Sequence, residues 1–281
     1  MILVFGKTGQ VGSVLAKMPN VVALGRDEAN LEYPQECFDR IIEYSPDAVI
    51  NAAAFTAVDE AERQPKLASQ INGIAPGYMA RACAMLQIPF IHLSTDYVFA
   101  GEGRVPYEPN DKTAPLNVYG ESKLQAERLI VSSGCVYGIL RTSWVFSHKG
   151  KNFLTTMLSL SERHTMISIV DDQYGGPTPA LALGNASLNM AYALINHPQK
   201  AGIFHLSGKP NVSWYDFAVE IFHFYNKKIE LKRVSTKDYN SEAIRPKNSR
   251  LNCNTLTSAF NIERPRWQDF LQKKDLNDKE S

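Results

Sequence analysis

An α/β fold, a doubly wound parallel sheet with a smaller second domain, is what this sequence predicts, and three features predict it. Short, fully apolar runs alternate with longer runs of helical spacing through the first half of the chain. Strands buried on both faces lose the in-out alternation of an exposed sheet. Such runs separated by helices therefore point to right-handed β-α-β crossovers and a parallel sheet covered on both sides. A glycine-rich turn stands at the first strand-to-helix junction. After about residue 150 the regularity weakens, and loops lengthen and gain proline and asparagine.

The elements follow in order. ILVF (2–5) reads as the first buried strand, and GQVGSVLAKM leads into a helix. VVAL (21–24) is a second strand, and ECFDRIIEY then carries apolar residues at helical spacing. DAVINAAA (47–54) is a third strand, followed by a long helical region through ACAML near residue 86. PFIHLS (89–94) and VYGILRTS (136–143) are further strands, with a helix between them. Beyond them TMISIV (165–170), GIFHLS (202–207) and IELKRVS (229–235) look like strands. SWYDFAVEIFHFYN (213–226) is an amphipathic helix with Ser213 as its N-cap. We expect residues 1–150 plus about 172–206 to form a dinucleotide-binding domain, and about 151–171 plus 207–281 a discontinuous substrate domain. The final KKDLNDKES is expected to be a frayed tail.

Composition excludes several classes of activity. With a net charge of +1, 44% apolar residues and no long run of one charge, neither nucleic acid nor a membrane surface is expected as the partner. No apolar stretch reaches the roughly 18 residues of a membrane span. MILVF has no basic n-region before it and no cleavage site after it, so no secretory signal is expected. The four cysteines and six histidines are scattered, which leaves no metal-ligand cluster and makes buried, reduced thiols the expectation. The expected compartment is the cytoplasm.

Several motifs carry chemistry. Gly6-Lys-Thr-Gly9-Gln10-Val11-Gly12 follows the first strand directly. Glycines there allow a tight turn and a close backbone approach, so that free N–H groups can hold a pyrophosphate. The second strand ends Ala23-Leu24-Gly25-Arg26-Asp27-Glu28. An arginine at that place suits the 2′-phosphate of NADP and an acid the 2′-hydroxyl of NAD, so Arg26 favours NADPH while Asp27 and Glu28 leave NADH possible. The small residues Asn51 to Ala54, including Ala53, end the third strand, where a flat ring could lie on backbone or a helix could pack closely. Ser94-Thr95-Asp96-Tyr97 follows the fourth strand, at the carboxyl edge where open α/β sheets bind ligands.

On the next helix, Tyr119 and Lys123 stand four residues apart and share a face. Of the 12 tyrosines, Tyr119 alone has lysine four positions later. A phenol titrates near about pH 10, so an acid catalyst of this kind needs a cation beside it. A nicotinamide fold, a strand-end hydroxyl and Tyr-x-x-x-Lys together form the constellation of extended short-chain dehydrogenase/reductases.

A closer resemblance covers nearly the whole chain. GKTGQVG, NAAAFTAVDEAE, STDYVF, PLNVYGESK, RTSWVF, NFLTTML, DDQYGGPT and RPKNSRLN run from residue 6 to about 252. In that order they resemble the motifs of the dTDP-4-dehydrorhamnose reductases, whose core is a Rossmann-type domain. The resemblance implies reduction of the C4 ketone of dTDP-4-dehydro-β-L-rhamnose to dTDP-β-L-rhamnose, a sugar donor for polysaccharide synthesis. It makes Tyr119 the proton donor, Lys123 the partner of the nicotinamide ribose, and Thr95 a hydroxyl that polarises the ketone oxygen. Asp96, Tyr97 and Trp144 would lie against the nucleotide-sugar substrate. Gly6, Gln10 and Val11 would hold the pyrophosphate, Asn30 and Leu31 the adenine side, and Ala54, Phe55 and Thr56 the nicotinamide half. Leu93 would add a backbone contact.

One departure from the pattern matters. Some members of the family ligate Mg²⁺ across a dimer through two glutamates, at positions that correspond here to Val14 and Leu181. Neither side chain can bind a hard cation, so no metal is expected, and a monomer or a metal-independent homodimer is. Two other readings stay open. The same chemistry could serve another nucleotide-linked 4-keto-6-deoxyhexose, or the chain could be a non-catalytic NADP-binding regulatory subunit.

Overall fold

The structure, a computed structural model, describes residues 1–239 and 241–272. The tail KKDLNDKES lies outside the described residues. Strand β1 (Ile2–Phe5) is buried along its length; burying Phe5 alone contributes roughly 2–3 kcal/mol. The turn after it leads into α1 (Gly12–Leu15), a single turn where a longer helix is expected from GQVGSVLAKM. Pro19 accounts for the early stop, because the residue before a proline is driven out of the helical region. Next come β2 (Val21–Leu24) and α2 (Pro34–Tyr44), which Pro34 starts and Ser45 ends in the left-handed conformation.

Strand β3 (Ala48–Asn51) is shorter than the expected 47–54. Its neighbour β1 ends at Phe5, opposite Asn51, so Ala52–Ala54 have no ladder to join. The long helical region that follows is broken into α3 (Val58–Arg63), α4 (Pro65–Ser69), a π turn (Gln70–Ile74) and α5 (Ala75–Leu86). Pro76 has no N–H to continue the α ladder, and the turn before it widens so that Ala75 N–H donates to Gln70 O.

Then β4 (Phe90–Thr95) runs into a short 3₁₀ turn (Asp96–Val98). Helix α6 (Val118–Ser132) begins at Asn117, whose side chain accepts from Gly120 N–H at 2.8 Å. Strand β5 (Tyr137–Thr142) closes the first half.

The second half holds β6 (Val145–Phe146), α7 (Phe153–Ser161), β7 (Met166–Val170), β8 (Tyr174–Gly175) and β9 (Thr178–Pro179). Helix α8 (Ala180–Asn196), β10 (Gly202–His205), β11 (Val212–Ser213), α9 (Trp214–Phe224) and β12 (Glu230–Val234) follow. The last are β13 (Asn248–Ser249) and α10 (Asn254–Phe260). Ser213 caps α9 as expected, in a reciprocal box with Asp216.

Six strands form one sheet in the order β10-β5-β4-β3-β1-β2, every pair parallel. The chain builds outward from β1 to β2, then returns to the other side of β1 with β3. The crevice beyond Phe5 and Asn51 is therefore the switch point where such sheets bind ligands. One face is covered by α2, α5 and α6, where Ile41, Met79, Cys83 and Ile130 pack on Leu3, Phe5 and Phe90. On the other face α1, α8 and α10 bring Leu15, Leu183, Met190 and Leu256 against Ile2, Val4 and Ile50.

A separate apolar cluster joins Leu154, Ile167, Phe217, Ile221 and Trp267. There TMISIV and IELKRVS pair with each other as parallel β7 and β12. All four cysteines are buried and free.

Candidate active site

The glycine turn meets the strand edge at the switch point. Gly6 has φ +98°, and a Cβ there would lie 2.7 Å from Ala53 N. A Cβ on Gly12 would lie 1.9 Å from Gly6 O, so the turn closes only without side chains at both places. With α1 only one turn long, anion binding here rests on the backbone N–H groups of the turn itself. Gln10 reaches across, donating to Val145 O at 3.4 Å and accepting from Ser147 Oγ at 2.9 Å.

A cleft of about 400 Å³ runs from this turn along the carboxyl edge of the sheet. Gly6, Gly9, Gln10 and Val11 line its middle, and Arg26, Asn30 and Leu31 one end. Ala53, Ala54, Thr56, Leu93, Tyr119 and Lys123 line the rest. Its size falls in the usual range for small-molecule sites, roughly 300–1,000 Å³. The missing side chains of the turn and the exposed backbone edge fit an elongated dinucleotide.

At the Arg26 end the acidic neighbours are disposed differently from the guanidinium. Glu28 turns back to accept from Gly25 N–H at 2.8 Å and from Lys7 at 3.4 Å, and the Gly25 bond holds its carboxyl below the ordinary range. Arg26 is exposed at the mouth.

At the other end, α6 presents Tyr119 and Lys123 to the cleft from one face. Lys123 is 2% exposed, donates to Leu93 O at 2.6 Å and lies 3.0 Å from His92 Nε2. Burial pulls its ammonium down to about 7, with Glu127 opposing the fall. Burial pushes the Tyr119 phenol up to about 12, helped by the Asp96 charge and opposed by the Thr95 hydroxyl. The Tyr97 ring stands edge-on to Tyr119, 5.7 Å between centroids.

Thr95 Oγ1 donates to Asp96 Oδ1 at 3.1 Å and accepts from Tyr97 N–H at 3.2 Å. Asp96 is 2% exposed, and its Oδ2 has no hydrogen-bond partner among the described residues. Burial raises its carboxyl to about 7, against the Ser249 and Thr95 hydroxyls. Trp144, just past β5, takes a left-handed φ of 50° and stacks on Trp214 at 3.6 Å. Such a conformation costs on the order of 1–3 kcal/mol in a residue other than glycine and collects at functional sites.

Most of the residues expected from sequence thus share one cleft. Gly12 and Phe55 stand behind its wall: Gly12 supports Gly6, and Phe55 N–H donates to Asn72 Oδ1 at 2.7 Å. Thr95, Asp96, Tyr97 and Trp144 lie beyond its lining, at the strand ends β4 and β5.

The cleft also holds residues that the motif reading leaves without a role. Lys151 enters from the loop before α7, where nothing in the sequence ties it to the glycine turn. Thr142, directly opposite Thr95, has a buried Oγ1 without a partner among the described residues. The carboxyl-edge rule that pointed to Thr95 applies equally to Thr142 at the end of β5.

Comparison with known proteins agrees with this geometry. The family model described as RmlD substrate binding domain matches residues 1–276. The chain is 38% identical to the dTDP-4-dehydrorhamnose reductase of Salmonella typhimurium, over 95% of this chain and 94% of that one. Among solved structures it is similar to a dTDP-4-dehydrorhamnose reductase of Clostridium acetobutylicum, with a TM-score of 0.89 and 33% identity over 96% of both chains. A second, from Bacillus anthracis and in complex with NADP, has a TM-score of 0.89 and 31% identity, again over 96% of both.

Proposed function

The chain belongs to the dTDP-4-dehydrorhamnose reductase family, and from that premise we propose that it reduces the C4 ketone of dTDP-4-dehydro-β-L-rhamnose to dTDP-β-L-rhamnose. It is an oxidoreductase that uses a nicotinamide cofactor. The observation that carries the reading is a single cleft joining the glycine turn to Tyr119 and Lys123.

When bound, the reduced nicotinamide supplies the hydride that reaches C4. Gly6, Gly9, Gln10 and Val11 hold the pyrophosphate, with Gly12 shaping the turn from behind. Asn30 and Leu31 face the adenine side, and Ala53, Ala54, Thr56 and Leu93 the nicotinamide half, with Phe55 supporting that loop from behind. Lys123 bonds the ribose.

Tyr119 keeps its proton at neutral pH, since its phenol is pushed up to about 12. It gives that proton to the ketone oxygen as alkoxide charge grows there. Thr95 turns its hydroxyl from Asp96 to the same oxygen and stabilises the same charge. The free Oδ2 of Asp96 takes a sugar hydroxyl, while Tyr97 and Trp144 give the substrate apolar walls.

NADPH is the preferred cofactor in this reading and NADH a possible one. Glu28 is committed to Gly25 and Lys7, which leaves Arg26 to meet a 2′-phosphate. The sheet and its covering helices form the dinucleotide-binding domain, with the cluster around Phe217 and Trp267 as the substrate domain. Val14 and Leu181 stand where some family members place Mg²⁺-ligating glutamates, and neither can bind a hard cation, so the reading is a monomer or a homodimer that needs no metal. No helix among the described residues is long and apolar enough to cross a membrane, and a cytoplasmic site of action is the reading that accompanies this.

Loss of NADPH absorbance tests the activity, with substrate made in situ by the preceding epimerase and the unepimerised 4-keto-glucose compound as control. Turnover only after epimerisation, abolished by Tyr119→Phe in a folded protein, is the expected result. Turnover with another 4-keto-6-deoxyhexose alone would move the assignment to that sugar. NADPH binding without any turnover would leave a regulatory subunit.

A further inference from the structure

A head-to-tail run of hydrogen bonds passes behind the reaction end of the cleft, through two fully buried residues, Asn51 and His92. It starts at Ala53 N–H, which donates to Asn51 Oδ1 at 3.0 Å. That bond settles which end of the amide faces His92. With Oδ1 accepting from the backbone, Nδ2 is left to donate to His92 Nδ1, 3.2 Å away. A ring nitrogen that accepts carries no proton, so the neutral imidazole keeps its proton on Nε2.

Nε2 in turn lies 3.0 Å from Lys123 Nζ, and Nζ donates onward to Leu93 O at 2.6 Å. An N–H aimed at Nζ needs a lone pair there, and an ammonium has three protons and none. Turning the imidazole over would restore an acceptor for the ammonium. It would also set the Asn51 amide N–H₂ against Ala53 N–H. Every group in the run is satisfied in one state only, with Lys123 as an amine.

We infer that Asn51 and His92 are positioning residues that hold Lys123 as a neutral amine in the cofactor-free protein, and that Lys123 takes up a proton as the nicotinamide cofactor binds. The inference rests on the reading of the cleft as a nicotinamide site. A ribose hydroxyl reaching Nζ offers it a new acceptor and releases the tie to Nε2–H.

The other titratable groups around Lys123 agree with this state. His92 faces it from β4, and burial holds that imidazole well below its ordinary range, as a neutral ring. Glu127, on its own helix, is the carboxylate that favours the ammonium, but Arg141 of β5 takes both of its oxygens, at 2.9 and 2.6 Å. Tyr119 shares the helix face, and Asp96 and Tyr97 act on Tyr119 from the far strand end.

The amine state has a consequence for catalysis. Without a cationic neighbour Tyr119 stays a weak acid, and the proton gained by Lys123 on binding lowers its phenol. The acid is then armed only once the cofactor is seated.

Two measurements test this on the full chain. Long-range ¹H–¹⁵N NMR of the cofactor-free protein reads the His92 tautomer, assigned by the signal lost in His92→Gln. Calorimetry of NADPH binding at about pH 8, in buffers of differing ionisation enthalpy, counts protons taken up. We expect a neutral Nε2–H ring and an uptake approaching one proton per cofactor. In Asn51→Asp the carboxylate accepts where the amide donated, so the ring turns to Nδ1–H and the uptake falls towards zero. An Nδ1–H ring or an imidazolium in the wild-type protein overturns the inference, as does NADPH binding without proton uptake. Failure of NADPH to bind at all would sink the nicotinamide reading of the cleft, while the tautomer would still be read in the free protein.

Discussion

Asn72 Nδ2 donates to Ser122 Oγ at 3.0 Å, and through that bond the π turn is tied to α6 between Tyr119 and Lys123. The same side chain bonds both backbone groups of Phe55, accepting from its N–H at 2.7 Å and donating to its carbonyl at 3.0 Å. One buried amide thus sets the helix that carries Tyr119 and Lys123 and the loop expected along the nicotinamide.

Asn72→Ala should therefore damage both at once. Removing a buried partner leaves unsatisfied groups, each costing about 1–3 kcal/mol. We expect chemical denaturation to show a loss of that order, and NADPH affinity to fall further than affinity for the sugar nucleotide. Equal losses of the two affinities would mean that Asn72 is merely structural.

The buried pair Glu127–Arg141 supports the same helix from the other side. Both side chains are 3% exposed, and Glu127 Oε1 also accepts from Ser94 Oγ at 2.5 Å. Arg141→Leu strands a buried carboxylate and should cost about 3–5 kcal/mol. The double variant Glu127→Leu/Arg141→Leu should recover part of that loss. Urea unfolding of the three proteins closes the cycle, and a double variant less stable than the single would contradict it.

Much of the architecture is legible in the sequence because the central strands β1, β3 and β4 are buried on both faces, so that ILVF or FIHLS reads as a strand without its neighbours. Tyr119 and Lys123 are legible because helix geometry converts a spacing of four into a shared face. What stays hidden depends on contacts distant in sequence. The third strand stops at Asn51 because β1 stops at Phe5, and the π turn widens ahead of Pro76. Asn51 and His92 read as core strand residues until Ala53 and Lys123 are placed beside them. Lys151 belongs to a loop whose position is set by Asn152, which caps α7 and bonds Ser147 O at 2.8 Å.

Asp96 should make stability depend on pH in an unusual direction. Its folded carboxyl is raised to about 7, above the ordinary unfolded value near 3.9, so the folded state holds a proton that the unfolded chain releases. Its stabilising contribution is present at low pH and is lost as pH rises from about 4 through about 7. Asp59 and Asp172, held below the ordinary range, act oppositely at lower pH, so the comparison must be made against Asp96→Asn. That variant should match the wild type in denaturation near about pH 4 and exceed it by about 1–3 kcal/mol near about pH 8. It should also lose sugar-nucleotide affinity, because Oδ2 gives way to an amide. A stability difference that does not change with pH would show that Asp96 is ionised throughout.

Arg26 tests the choice between the two nicotinamide cofactors. Its guanidinium stands exposed at the end of the cleft proposed for the adenosine, while Glu28 is drawn back onto Gly25 and Lys7. A charge-assisted bond to a 2′-phosphate is worth about 1.5–3 kcal/mol, which corresponds to roughly a tenfold to hundredfold change in affinity. NADH has no such phosphate and gains nothing from the arginine. Arg26→Ala should therefore raise the KM for NADPH by at least about tenfold and leave that for NADH nearly unchanged. Raised salt should weaken NADPH binding more than NADH binding in the wild type, and equally in the variant, because an exposed ion pair is screened. If both cofactors lose affinity in parallel, Arg26 serves the adenosine without reading its phosphate. Glu28→Ala then becomes the discriminating change, since releasing Gly25 N–H would free the ribose end for either cofactor.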